Sequence, residues 1–365
     1  MRSTNIRTLN TQADDHSREY SYIMKGMAII CIMLHNYCHL MPGATQENEF
    51  IFSYENINLL FGFDGSFVEW IYELFSFFGW YGVPVFMFLT GFGLVMKYER
   101  KDSAPFKKKE FIIRNFLKLF FLMLPGILAF SILCFCVTLY AGDINFTAIA
   151  NYFFQLTMLP DLFCLWSPPN PGVYWYFGLT MEFYLIYALL IHRRPVWWMW
   201  ALLVLSYLLQ FIIDPESDYM EWCRHNASGW MSVLIMGIVY ARHRDLISKK
   251  LFRACLIVSL LLIFPSMLNP IKWQFSILAC VIIAMAIAGW SMHIPRWRSA
   301  WIWIGRLSPM LFVAHPFARL IMTKVFTPCI SSLTPLITYL CLSFILAMGF
   351  RYVTKKTVGL TQPEY

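Results

Sequence analysis

Three ionisable residues stand inside apolar runs of this chain: His35, Glu182 and His315. Such residues are costly in an apolar setting and usually face a cavity or a partner, so they mark where chemistry could sit. His35 lies ten residues beyond Lys25, about 15 Å along a helix at the standard rise. Glu182 and His315 each lie a similar distance into their own runs, which puts all three at one level. A neutral imidazole beside a carboxylate is an arrangement for general base catalysis, the carboxylate fixing the tautomer and stabilising the imidazolium that forms. His35 and Glu182 could pair in this way, and His315 could equally be the base. Taken singly, each also reads as a buried polar residue bonded to a neighbouring helix. Two histidines and one carboxylate do not make a metal site. The cysteines lie mostly in apolar runs without Cys-x-x-Cys pairs and read as small packing residues. A second group is cationic: Arg114 and Lys118, at i and i+4 on one helix face after Lys107, Lys108 and Lys109. The plain reading is a topogenic signal that meets anionic headgroups. The functional reading is a phosphate clamp, with Lys25 as a third cation.

The elements that must position these residues follow from composition. Of 365 residues, 59% are hydrophobic and only 14% charged, which excludes a water-soluble domain and predicts an all-α, polytopic integral membrane protein. Ten apolar windows can be counted, near 21–40, 75–96, 112–139, 173–191, 196–213, 228–241, 253–268, 273–291, 305–324 and 332–353. With the N-terminus in the cytoplasm, Lys107 to Lys109, Arg193, Arg194, Arg242, Arg244, Lys249 and Lys250 all fall on the inner side. The first outer segment, 41–74, holds Glu47, Glu49, Glu55, Asp64, Glu69 and Glu73 and no Lys or Arg. Ten spans, both termini cytoplasmic and a plasma (inner) membrane location are therefore expected. The domain layout is a cytoplasmic tail at 1–20, one membrane domain at 21–353 and a cytoplasmic tail at 354–365. The net charge of +8 is accounted for by this asymmetry, with no nucleic-acid partner. The apolar stretch 149–166 does not fit the alternation as a crossing and is expected to be re-entrant or interfacial.

Several strings resemble motifs of the membrane acyltransferase-3 family, the O-acyltransferases of cell-surface glycans. Lys25-Gly26-Met27-Ala28 through Leu34-His35-Asn36 is similar to its opening helix, although nine residues separate Lys25 from His35 where the family commonly has ten. Gly82 to Phe92 resembles its G-V-x-x-F…S-G-F pattern, with Thr90 in place of Ser. Arg114 to Pro125 resembles its basic third-helix segment, Trp175 to Leu185 its W-F…E-F-Y-L motif, and Gly305 to Pro316 its G-x-x-S…H-P motif. The resemblance implies an acyltransferase of groups other than amino-acyl groups. The donor would be acyl-CoA, acetyl-CoA first among them, arriving from the cytoplasm, and the acceptor a hydroxyl of a surface glycan or lipid-linked sugar. It implies His35, Glu182 and His315 as catalytic residues, Lys25, Arg114 and Lys118 as donor-binding residues, no metal, and the lipid bilayer as surroundings. The alternative from another class is a polysaccharide exporter, against which the lack of an internal repeat counts.

Overall fold

The computed structural model describes residues 2–45, 49–100, 103–142, 144–164, 170–325 and 332–358. Among the described residues the chain is all helical: α1 Arg2–Cys38, α2 Tyr54–Gly62, α3 Phe67–Phe78, α4 Gly82–Tyr98, α5 Lys108–Tyr140, α6 Phe146–Gln155, α7 Trp175–Ile186, α8 Val196–Ile212, α9 Asp218–His225, α10 Ala227–His243, α11 Lys249–Met267, α12 Trp273–Ser291, α13 Pro295–Val325 and α14 Thr334–Val358. Nine of the ten apolar windows fall on one helix each, and 75–96 runs from the end of α3 across a short turn into α4. Helix α1 runs on through residues 2–20, so the segment read as a tail is an extension of that helix.

Six helical runs among the described residues are long and apolar enough to cross a membrane: Phe67–Tyr98, Lys108–Tyr140, Gly172–Ile191, Lys249–Met267, Trp273–Ser291 and Thr334–Lys356. The windows outside this set have physical reasons for falling short. Helices α8 and α10 have only 17 residues each. Helix α1 carries Lys25, His35 and Asn36, and α13 carries Arg306, His315 and Arg319. Polar residues that equip a helix for chemistry also dilute its hydropathy. Helix α6 has 10 residues, about 15 Å of helix, too short to cross.

Helices α1, α4, α7, α10 and α13 form the centre, with α1 packed on α13 and α4 on α10. Small residues permit both crossings. A Cβ on Gly26 or Gly305 would meet the backbone of the facing helix, and Gly91 and Gly237 do the same for α4 and α10. Close backbone approach of this kind is how helices associate where lipid removes the hydrophobic drive. The outer shell is α5, α8, α11 and α14, whose exposed Ile132, Leu205, Leu261 and Ile345 suit hydrocarbon surroundings. The order of the helices defines two ends. One holds the C-terminal end of α1 and the N-terminal ends of α4, α10 and α12; the other holds the C-terminal ends of α4 and α10 and the start of α5.

Candidate active site

At the first end, His35 sits in the last turn of α1, 1% exposed. Its Nδ1 is 2.7 Å from the Ser76 carbonyl oxygen and its Nε2 is 3.0 Å from Glu49 Oε2. A carbonyl only accepts, so Nδ1 carries a proton and donates. The Nε2–Oε2 contact then holds a second proton, as imidazolium with carboxylate or imidazole with carboxylic acid. Burial pushes the Glu49 carboxyl up, but the charge and hydrogen bond of His35 outweigh it and hold Glu49 below the usual carboxylate range. Local structure explains the position of Ser76. Glu73, one turn earlier on α3, accepts from the Thr45 backbone N–H at 2.9 Å and from its hydroxyl, and Ser76 Oγ donates to the Thr45 carbonyl at 2.5 Å. This ties the chain after α1 to α3 and sets the Ser76 carbonyl over the imidazole.

The sequence reading offered Glu182 as the partner of His35, and the structure places Glu49 there. Glu182 Oε2 instead accepts from the Ala227 backbone N–H at 2.7 Å, at the start of α10, where helix N–H groups lack intrahelical partners and favour negative charge. A second carboxyl lies nearby: burial, and the Glu182 carboxyl beside it, push Asp161 well above the usual carboxylate range.

His315 is fully buried on α13 and uses Nδ1 on the Leu311 carbonyl at 3.0 Å. That contact makes Nδ1 a protonated nitrogen, while Nε2 has no hydrogen-bond partner among the described residues. One turn on, Arg319 Nη1 donates to the Asn36 carbonyl at 3.0 Å and to Asn36 Oδ1 at 3.2 Å, joining α13 to α1 beside His35. His39 stacks obliquely on His35 with ring centroids 5.0 Å apart, and feels the charges of Glu49 and Arg319. His35, His39, Glu49, His315 and Arg319 thus belong to one polar centre. No group of three His, Cys, Asp or Glu among the described residues is arranged to hold a metal ion.

Sequence reasoning missed Glu49, His39, Arg319 and Arg224. His39 is at i+4 from His35, and Arg319 is an ionisable residue inside the ninth window at i+4 from His315, so both carried a readable signal. Arg224 is a cation in a segment expected to face outward, an exception to the charge rule. Glu49 comes from a loop, and nothing in its local sequence connects it to His35.

The opposite end is basic. Lys118 lies in electrostatic reach of Lys97, Lys25 and Arg114. Arg114 Nη2 donates to the Tyr98 hydroxyl at 2.6 Å, and Lys25 and Arg306 lie 5.6 Å and 5.4 Å over the Tyr22 ring. Arg242, at the same end, is ion-paired. Its Nε and Nη2 reach Glu99 Oε2 and Oε1, both at 2.7 Å, in a two-pronged ion pair.

A sequence model described as an acyltransferase domain, that of the acyltransferase-3 family, matches residues 19–353. No curated protein and no solved structure matches the chain.

Proposed function

The chain belongs to the acyltransferase-3 family and is a membrane acyltransferase of non-aminoacyl groups; we propose that it is an O-acyltransferase moving an acyl group, acetyl in the first instance, from cytoplasmic acyl-CoA to a hydroxyl of a cell-surface glycan or lipid-linked sugar. The observation that carries this reading is the buried His35–Glu49 pair, whose histidine stands on the same helix as Lys25, roughly 15 Å of helix from the cation cluster. Phosphates of the donor rest on Lys25, Arg114 and Lys118 through charge-assisted hydrogen bonds, and the thioester extends toward the histidine end.

His35 is the general base in this reading. Once its Nε2 proton has been released, the neutral ring stays oriented by Nδ1–H on the Ser76 carbonyl. The acceptor oxygen attacks the thioester carbonyl as Nε2 takes its proton, the new C–O bond forms, the C–S bond breaks, and the proton passes from His35 to the departing thiolate. Glu49 stabilises the imidazolium between those steps. Glu182 supports the site through the start of α10, and no covalent acyl-enzyme is required. One observation favours His315 as the base instead: its Nε2 already stands without a hydrogen-bond partner among the described residues.

Orientation follows the positive-inside rule, which puts the basic end and both termini in the cytoplasm of a plasma-membrane protein with ten spans. The distinguishing experiment is transfer of labelled acetyl from acetyl-CoA by purified protein to a surface-glycan extract. His35→Ala abolishing turnover with His315→Ala spared supports His35, and the reverse assigns the base to His315.

A further inference from the structure

Arg224, on α9, is 0% exposed and lies at the histidine end. Its Nη1 donates to the Glu49 carbonyl oxygen at 3.2 Å, so it braces the backbone of the residue that pairs with His35. Its Nε and Nη2 have no hydrogen-bond partner among the described residues. Indoles wall it in: the guanidinium lies 3.7 Å from the Trp273 ring centroid and 5.5 Å from that of Trp230, and Trp80 packs against both. Cation–π contact eases burial of the charge but satisfies no N–H group.

Nε and Nη2 form one planar edge of the guanidinium, the edge with which Arg242 grips Glu99 in this same molecule. A buried fork of that kind is shaped for a carboxylate, whose two oxygens it meets in parallel. A phosphate group would bring more charge and more acceptors than one edge between indoles can satisfy. A surface cavity lies alongside, lined by Gln210, Met220, Trp273 and Gln274 among others. Trp273 is both its wall and the ring beneath Arg224.

We propose that Arg224 anchors a carboxylate-binding subsite, so that the acceptor is an acidic molecule whose carboxylate docks on the Nε–Nη2 edge while its hydroxyl is presented to His35. The proposal rests on the acyltransferase reading for the acceptor's role, whereas the subsite itself can be tested without any donor. Purified full-length protein is titrated with methyl glucuronide and with methyl glucoside, which differ by the carboxylate alone, and read by tryptophan fluorescence. A saturable response to the glucuronide but not the glucoside is expected, weakened more than about tenfold in Arg224→Lys, which keeps the charge and loses the fork. Arg224→Gln should remove it. If the Gln variant does not fold, wild type against Arg224→Lys still decides. No saturable response, equal responses to both sugars, unchanged affinity in Arg224→Lys, or displacement by sulfate at equal concentration would each overturn the subsite. Glucuronide binding without acetyl transfer would leave the subsite standing and remove the acyltransferase reading alone.

Discussion

Two arginines, Arg242 in the last turn of α10 and Arg224 on α9 just before α10 starts, present the same edge to different surroundings. Arg242 closes its Nε–Nη2 fork on Glu99, and the remaining capacity of that carboxylate is taken up by the Tyr187 hydroxyl at 3.0 Å and the Arg193 backbone N–H at 3.3 Å. Arg242 Nη1 also donates to the Arg194 carbonyl at 2.7 Å. Arg224, more deeply buried, spends one nitrogen on the Glu49 backbone and, among the described residues, none on a carboxyl. The contrast separates two uses of a buried cation. At the basic end the chain supplies the anion itself and joins α4 to α10; at the histidine end the cation is held beside the His35–Glu49 pair, where the proposed ligand would supply it.

The sharpest way to break this division is at the reacting group. His35→Ala should lower turnover about 10²- to 10⁴-fold, the usual range for loss of a general base, with the folded fraction unchanged on size-exclusion. Glu49→Gln should lower turnover in the same direction and further than Glu182→Gln, because Glu49 holds the proton-bearing nitrogen. A Glu182→Gln loss exceeding that of Glu49→Gln would return Glu182 to the role the sequence suggested.

Next in size is the closed fork. Glu99→Gln leaves Arg242 without its anion and should destabilise the protein by about 2–3 kcal/mol, toward the lower side of the cost of breaking a buried pair, measured as a fall in thermal midpoint. Donor affinity should not change. At the cation cluster the pattern inverts. Arg114→Ala and Lys118→Ala should each weaken acetyl-CoA binding by roughly 1.5–3 kcal/mol, more than tenfold, in a direct titration. If these two residues only anchor helix ends to headgroups, insertion falls and the dissociation constant of the folded protein stays put.

The smallest effect is a pH dependence. Burial pushes the Glu99 carboxyl up, but Arg242 outweighs it and holds the group below its ordinary value. A depressed carboxylate contributes stability that is present above its unfolded pKa and is lost as pH falls through the folded one. Wild type should therefore lose part of its thermal stability in acid, and Glu99→Gln should show a flatter acid limb. Equal acid slopes in the two proteins would place the titrating group elsewhere.

Helix positions were largely legible because a 20-residue apolar window is a local property, and nine of the ten windows fall on one helix each. Which windows qualify as crossings was less legible, since Lys25, His35, Arg306, His315 and Arg319 lower the hydropathy of the helices that hold the site. The electrostatic reach of Lys118 to Lys25 and Arg114 could be anticipated from their shared side of the membrane. The partner of His35 could not. Depth along a helix says nothing of which helices are neighbours, and the carboxyl that reached His35 came from a loop pinned by Thr45 and Glu73. Arg224 was readable only as an exception to a charge rule, and its surroundings of Trp80, Trp230 and Trp273 come from three separate helices.

The central claim is that donor and acceptor meet from opposite ends, the donor at Lys25, Arg114 and Lys118 and the acceptor at His35. Sealed proteoliposomes, with orientation assigned by labelling a cysteine introduced at Lys250, test it directly when labelled acetyl-CoA is supplied to one face and the glycan extract to the other. Ester should form only when acetyl-CoA is on the face that exposes position 250 and the glycan is opposite; ester formed with the donor confined to the His35 face would contradict the account.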